Sequence, residues 1–214
     1  EARVRHILLS TQGKDEATFR TRWTGSLVTM RAQAVIGAAD WNGPAAKLVV
    51  DVPANASVAA WDHFTTGYAA AERGDLAVAT AAQDALSALV AAAKPAPDDH
   101  QWLDYLHVLN DELTGLVASK RGDGALALTR VRAAAERYGR LAFDFGPPVT
   151  ITPPQELLGE LLLAGNDPKG AAVAFTTALV TAPRRAQSVL GLARAQAASG
   201  DAVAARTTYG QLLA

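Results

Sequence analysis

Residues 197–205 read AASGDAVAA, and three earlier stretches follow the same local pattern: AERGDLAVA at 71–79, SKRGDGALA at 119–127 and LAGNDPKGA at 163–171. In each stretch an aspartate follows a glycine or an asparagine, and an alanine comes four residues after the aspartate. The four aspartates could be acids or ligands in a chemical site, or they could begin four helices. A second regularity decides between these interpretations.

The residue eight positions before each aspartate is also small, and these positions hold Gly67, Gly115, Gly159 and Ala193. Glycine inside a helix costs about 1 kcal/mol relative to alanine, so the glycines need a packing reason, which a close approach of two helices supplies. Glycine or asparagine favours the left-handed backbone that ends a helix. The aspartate after it can accept a hydrogen bond from the first free amides of the next helix. The pattern therefore predicts helical hairpins, with four capping aspartates: Asp75, Asp123, Asp167 and Asp201.

The composition fits a folded helical protein and excludes several classes of function. Half of the 214 residues are hydrophobic, 19% are charged, and the formal net charge is −1. This balance offers no field of one sign for nucleic acid or an anionic membrane. Cysteine is absent, which excludes disulfides and thiolate chemistry. No apolar run approaches the ~18 residues of a membrane-spanning helix, so we expect a soluble chain, either cytoplasmic or exported.

The third copy of the pattern resembles a known repeat family. It runs Gln155-x2-Leu158-Gly159-x2-Leu162, followed by Ala171-x3-Phe175, Ala178 and Pro183. This resembles the tetratricopeptide repeat (TPR) pattern W-x2-L-G-x2-Y…A-x3-F…P, with Gln155 and Leu162 in place of the aromatic residues. The last aspartate follows the third by 34 residues (201 minus 167), which is the family's period. Residues 30–214 are similar, more loosely, to the C-terminal part of certain bacterial TPR proteins of undefined role.

The resemblance implies an all-α fold, an α-solenoid of antiparallel hairpins wound into a right-handed superhelix. We expect a degenerate hairpin region at 1–53, two expanded TPR-like hairpins at 54–138, and two TPR hairpins at 154–214. The helices are predicted at 15–39, 57–73, 76–93, 99–120, 124–138, 154–165, 168–181, 186–199 and 202–213. Residues 139–153 form an apolar strap, which packs along the surface of the solenoid or else fills its groove or shapes a pocket.

One polar stripe could carry chemistry. His100, Asp104, His107 and Asp111 follow each other at helical spacing, and imidazoles with carboxylates are suitable zinc or copper ligands. The opposite side of the same helix is apolar, so a solvated face is the competing interpretation and the one we favour. The four tryptophans are expected as core wedges, and the pair Arg184-Arg185 as a solvated helix start. The sequence carries no phosphate-binding glycine loop, G-x-S-x-G elbow or H-E-x-x-H motif.

The sequence therefore predicts a non-enzymatic scaffold without a cofactor, which binds a protein or peptide on its concave face. The residues expected to line that face are Phe64, Tyr68, Asp104, His107, Asp111 and Glu156. Two alternatives stay open, a small-molecule or metal-binding protein that uses the polar stripe, and an accessory segment of a larger enzyme. The chain ends on the apolar stretch QLLA, so we also expect it to continue, to self-associate or to be covered by a partner.

Overall fold

The computed structural model describes residues 16–52, 55–94, 100–141 and 151–213, and side chains from Arg20 onward within these ranges except that of His100. The described residues form helices and turns, without a strand. The helices are α1 (Glu16–Ala32), α2 (Ala56–Arg73), α3 (Leu76–Ala92), α4 (His100–Lys120), α5 (Gly124–Tyr138), α6 (Pro154–Ala164), α7 (Pro168–Thr181), α8 (Ala186–Ala198) and α9 (Ala202–Gly210). The all-α prediction is thereby confirmed.

Each of the four predicted aspartates caps a helix. The side chains of Asp75, Asp123, Asp167 and Asp201 accept hydrogen bonds from the backbone amides three residues later, at 2.9–3.2 Å. The residue before each aspartate has a positive φ of 60–88°, the left-handed conformation that ends a helix. The interpretation of these aspartates as caps is confirmed, because their carboxylates are committed to backbone amides.

The glycines predicted to allow close packing do lie at crowded crossings. A Cβ at Gly159 would stand 2.6 Å from the ring of Phe175, and one at Gly115 would stand 2.4 Å from Val131 and 3.1 Å from the carbonyl oxygen of Ala127. The sequence pattern paired Gly159 with Ala171, but the residue that packs nearest to Gly159 is Phe175, which lies one helical turn after Ala171. An aromatic ring fills the space, and Ala171 is itself fully buried.

Helices that follow each other in sequence pack together, from α2 with α3 to α8 with α9. The first helices of the hairpins also pack side by side, α2 against α4, α4 against α6, and α6 against α8. The largest core cluster lies under this layer and includes Trp61, Phe64 and Leu113. The first helices of the described hairpins thus pack in succession as one layer.

The N-terminal region departs from the predicted continuous helix at 15–39. Helix α1 ends at Ala32 and passes into a π-helical segment, Gln33–Gly37. Val35 and Ile36 of this segment are buried in the main core. Ala39 then takes a positive φ of 53° and the chain turns back toward α2. A single wider turn directs two successive apolar side chains inward, which helical periodicity in the sequence does not reveal.

The predicted strap is only partly within the described residues. Ile151 is buried in the main core, as expected for an apolar strap that packs on the helices. Phe143, Phe145 and Val149 lie outside the described residues. The choice between a surface strap and a groove-filling one stays a prediction.

Candidate ligand-binding cleft

A cleft of about 420 Å³ opens on the layer of first helices. Helices α2, α4 and α6 form its walls, Ile36 and Trp41 close it on the N-terminal side, and Gln187 at the start of α8 lies opposite them. Small residues at the helix crossings and capped helix ends let three hairpins pack closely. The N-terminal segment folds back across these hairpins, and the cleft lies between them. Residues distant in sequence therefore share one concave surface.

One wall of the cleft is aromatic. The rings of Trp41 and Tyr68 stack with centroids 5.7 Å apart and planes inclined by 27°. The backbone oxygen of Trp41 accepts a hydrogen bond of 2.7 Å from Arg73, which fixes the turn that carries the indole. Burial raises the pKa of the Tyr68 hydroxyl well above its usual range, and the nearby carboxylates of Glu112, Glu72 and Glu156 raise it further. Tyr68 therefore stays a neutral hydrogen-bonding group.

A buried polar network forms the floor around Glu156. The carboxylate accepts hydrogen bonds from Thr152 at 2.9 Å, from Arg185 at 2.7 Å and from the hydroxyl of Ser188. Only 10% of the Glu156 side chain is exposed. Charge-assisted bonds of this kind offset the cost of burying a carboxylate. The Glu156 side chain is thereby held in one orientation at the cleft.

The same network reaches the N-terminal segment. Arg185 donates to the side-chain oxygen of Gln187 at 2.6 Å. Gln187 in turn donates to the carbonyl oxygens of Gly37 at 3.2 Å and Ile36 at 3.4 Å. Residues 150 positions apart in sequence are joined in this way. These bonds therefore join the start of α8 to the π-helical segment and connect opposite sides of the cleft.

In addition to the buried pair of Glu156 with Arg185, two ion pairs lie at the rim of the cleft. Lys120 lies 2.8 Å from Glu72, and Arg194 lies 2.9 Å from Glu160. About half of each side chain in the second pair is exposed. Such exposed pairs contribute at most about 1 kcal/mol, so these side chains can exchange partners at low cost.

Glu112 lies fully buried behind the cleft wall. Neither of its carboxyl oxygens has a hydrogen-bond partner among the described residues. Burial raises the pKa of Glu112 well above its usual range; the Glu156 carboxylate raises it further and the Arg185 guanidinium partly opposes both. This environment favours the neutral form of the acid, because no partner among the described residues compensates the loss of water around the charge.

The six residues predicted to bind a partner are placed differently from one another. Tyr68 and Glu156 line the cleft, whereas Phe64 is 1% exposed within the core. Asp104 pairs with Arg137 at 2.7 Å and Asp111 with Arg130 at 3.2 Å, so this part of the polar stripe faces α5. His107, half-buried, does not line the cleft. The structure thus brings together two of the six, and their partner-binding role stays a prediction.

Within the described residues, no three His, Cys, Asp or Glu side chains cluster closely enough to hold a metal ion. The side chain of His100, the first member of the polar stripe, lies outside what the structure describes. Among the residues that the structure describes, no helix combines the length and apolarity that crossing a bilayer requires.

Sequence reasoning missed several residues of the site, notably Trp41, Glu112 and Gln187. For Glu112 a signal was present, since it falls three residues after Leu109 and four before Leu116, in the middle of the apolar stripe of α4. A carboxylate at that position predicts a buried acid. Trp41 and Gln187 carry no comparable signal, because their neighbours in the fold are far away in sequence.

Comparison of the chain with protein-family models, with curated proteins and with solved structures found no match. The resemblance to the tetratricopeptide repeats stays a prediction.

Proposed function

We propose that this chain is a non-enzymatic helical-repeat scaffold, an α-solenoid of TPR-like hairpins, that binds a peptide segment of a protein partner in the cleft. Stacked hairpins bury one continuous core and leave the face of their first helices free for binding. The packing of α2, α4, α6 and α8 in succession supports this arrangement. The TPR-like spacing in the last two hairpins supports it independently.

The observation that carries the proposal is the cleft itself. Its volume of about 420 Å³ lies in the range of ~300–1,000 Å³ that is usual for ligand sites. Its lining combines an aromatic wall with a few fixed polar groups, the composition that gives both affinity and orientation. Trp41 and Tyr68 are large, rigid contact surfaces, of the kind that dominates binding energy in interfaces.

A compact small molecule is the second candidate ligand. The link from Gln187 to Ile36 and Gly37 closes one side of the concave face and leaves a cleft rather than a long open groove. A short peptide loop or a small molecule suits such a space better than a long extended peptide. Both candidates would bind at the same surface, one as a segment of a partner protein and the other as a free small molecule.

The test is selection from a library of random dodecapeptides, followed by calorimetry with the wild-type chain and two variants. Ala164 is exposed at the cleft, so Ala164→Trp fills the cleft without disturbing the core. Ala133 is exposed on α5 and does not line the cleft, so Ala133→Trp is the matched control. We expect selected peptides to lose at least tenfold in affinity for Ala164→Trp and to keep it for Ala133→Trp.

If the selected peptides bind the wild type and both variants with equal affinity, the binding surface lies outside the cleft. Enrichment of no peptide would contradict the proposed function.

A further inference from the structure

We propose that the cleft accepts the cationic side chain of an arginine or lysine in the partner's peptide. This inference rests on the proposed function and specifies its ligand. It follows from the charges that line the cleft, from the aromatic wall and from the acid behind that wall.

The charged groups that face the cleft are mostly carboxylates. Glu72, Glu156 and Glu160 line it, against one cation, Lys120. The arginines that pair with two of these carboxylates, Arg185 and Arg194, do not line the cleft. An anionic ligand would meet one ammonium group that already contacts Glu72 at 2.8 Å. A cationic ligand would meet three carboxylates and would share each of them with the cation that already pairs with it, Lys120, Arg185 or Arg194.

The aromatic wall suits the same ligand. Arginine and lysine cations bind over the faces of tryptophan and tyrosine rings within about 6 Å, and the half-buried Trp41 lines the cleft beside the buried Tyr68. The remaining wall is aliphatic, formed by Leu116, Leu157 and Leu161. A long side chain with a methylene stem can cover this surface while its charged head reaches the carboxylates at the rim.

The rim can rearrange to receive the cation. Glu160 and Arg194 form an exposed pair, so Glu160 can turn from Arg194 to the ligand at small cost. Glu156 is held in place by its three donors and cannot turn away. The cleft therefore combines one fixed carboxylate in its floor with movable carboxylates at its mouth.

Glu112 is a buried acid whose ionised form a cation in the cleft would favour and a neutral ligand would not. Its unpartnered carboxyl group is close enough to Tyr68 and Glu156 to interact with both electrostatically. A cation in the cleft would therefore lower the pKa of Glu112 toward its usual range. A neutral ligand has no such effect.

The experiment compares three synthetic peptides, acetyl-Ala-Leu-X-Leu-Ala-amide, in which X is arginine, citrulline or glutamate. Citrulline keeps the shape of arginine and removes its charge. Binding is followed by calorimetry and by chemical-shift changes of the tryptophan indole groups. We expect the arginine peptide to bind at least tenfold more tightly than the citrulline peptide, and the glutamate peptide to bind most weakly.

The variant Glu72→Gln with Glu160→Gln is expected to lower affinity for the arginine peptide at least fivefold and to leave the citrulline peptide unaffected. Glu136→Gln, which removes an exposed carboxylate that does not line the cleft, is the matched control. Equal or tighter binding of the citrulline or glutamate peptide overturns this inference and leaves peptide binding in the cleft intact. Failure of all three to bind overturns the inference too, and the separate library selection then decides on the proposed function.

Discussion

Phe175 shows how single glycines determine the packing of two hairpins. A Cβ at Gly159 would stand 2.6 Å from its ring, and a Cβ at Gly191 would stand 2.3 Å from the same ring. The ring is 1% exposed and lies between these glycines, one from α6 and one from α8. A glycine lies on either side of the ring, so it has little room to move away from a new Cβ at Gly159.

We therefore expect Gly159→Ala to lower the free energy of unfolding by up to about 2 kcal/mol, since overpacking costs about 1–3 kcal/mol and helix propensity returns about 1 kcal/mol. Urea denaturation followed by circular dichroism measures the change. Gly124→Ala is the control, because a Cβ there has no neighbour within 4 Å. In the Phe175→Ala background Gly159→Ala should become neutral or stabilising, and an unchanged cost there would contradict this explanation.

Glu112 is the second residue with a specific energetic consequence. The unfolded chain releases the proton of this acid above about pH 4.5, whereas burial keeps it bound in the folded chain. The folded state then binds more protons than the unfolded state, so this residue lowers stability as pH rises from 4.5 toward the raised pKa. Glu156 and Arg185 are the groups whose charges act on it: the Glu156 carboxylate raises the pKa of Glu112 and the Arg185 guanidinium lowers it.

We expect Glu112→Met to raise the free energy of unfolding by about 1–3 kcal/mol at neutral pH, because it removes a buried acid without hydrogen-bond partners. The advantage should shrink at pH 5 and grow toward pH 8. Thermal and urea unfolding across this range, with Glu136→Gln as the exposed control, measures it. A gain that does not depend on pH would contradict a raised pKa for Glu112.

At the scale of the elements, each capping aspartate serves two helices. The amide of Asp123 donates to the carbonyl oxygen of Ala118 at 3.0 Å and closes α4, while its side chain accepts from the amide of Leu126 at 3.0 Å and opens α5. Asp75, Asp167 and Asp201 make the same two kinds of bond. At each of these four turns, one residue therefore contributes to the end of one helix and the start of the next.

Removing only the hydrogen bond of the Asp123 side chain tests its role as a helix cap. Asp123→Ala is expected to lower the free energy of unfolding by about 1 kcal/mol, and Asp123→Asn by a few tenths at most, because asparagine also caps well. Asp84→Ala, at an exposed position inside α3, should be neutral or slightly stabilising. Urea unfolding compares the three variants, and equal losses at both aspartates would rule out capping as the cause.

The elements were largely predictable, since their ends are set by local chemistry. The predicted helices at 124–138 and 168–181 match α5 and α7, and the bounds of α2, α3, α6 and α8 differ by one residue at an end. The π-helical turn at Gln33–Gly37 was not predictable, because it arises where Val35 and Ile36 reach the core. Packing outweighs local preference there.

At the scale of the whole molecule, Gln187 joins the two ends of the described fold. Its bonds to Ile36 and Gly37 hold the N-terminal segment against α8 and define one side of the cleft. This contact requires the native arrangement of the hairpins that lie between these residues in sequence. It couples the shape of the cleft to the arrangement of all the hairpins.

Gln187→Ala is expected to increase hydrogen exchange at residues 33–41 and to lower the free energy of unfolding by about 1 kcal/mol, the usual contribution of a hydrogen bond. Exchange measured by mass spectrometry locates the effect. Gln101→Ala, at an exposed position in α4, should change neither quantity. Unaltered protection at 33–41 would show that this link does not hold the segment.

The sequence by itself determined the helical class, the hairpin turns and the close crossings, because caps, left-handed glycines and small residues act on neighbours along the chain. Only the tertiary structure decided which side chains share the cleft. Trp41 meets Tyr68, Gln187 meets Ile36, and Glu112 loses its water through contacts between residues distant in sequence. Such contacts depend on the stacking of several hairpins at once, which no local pattern encodes.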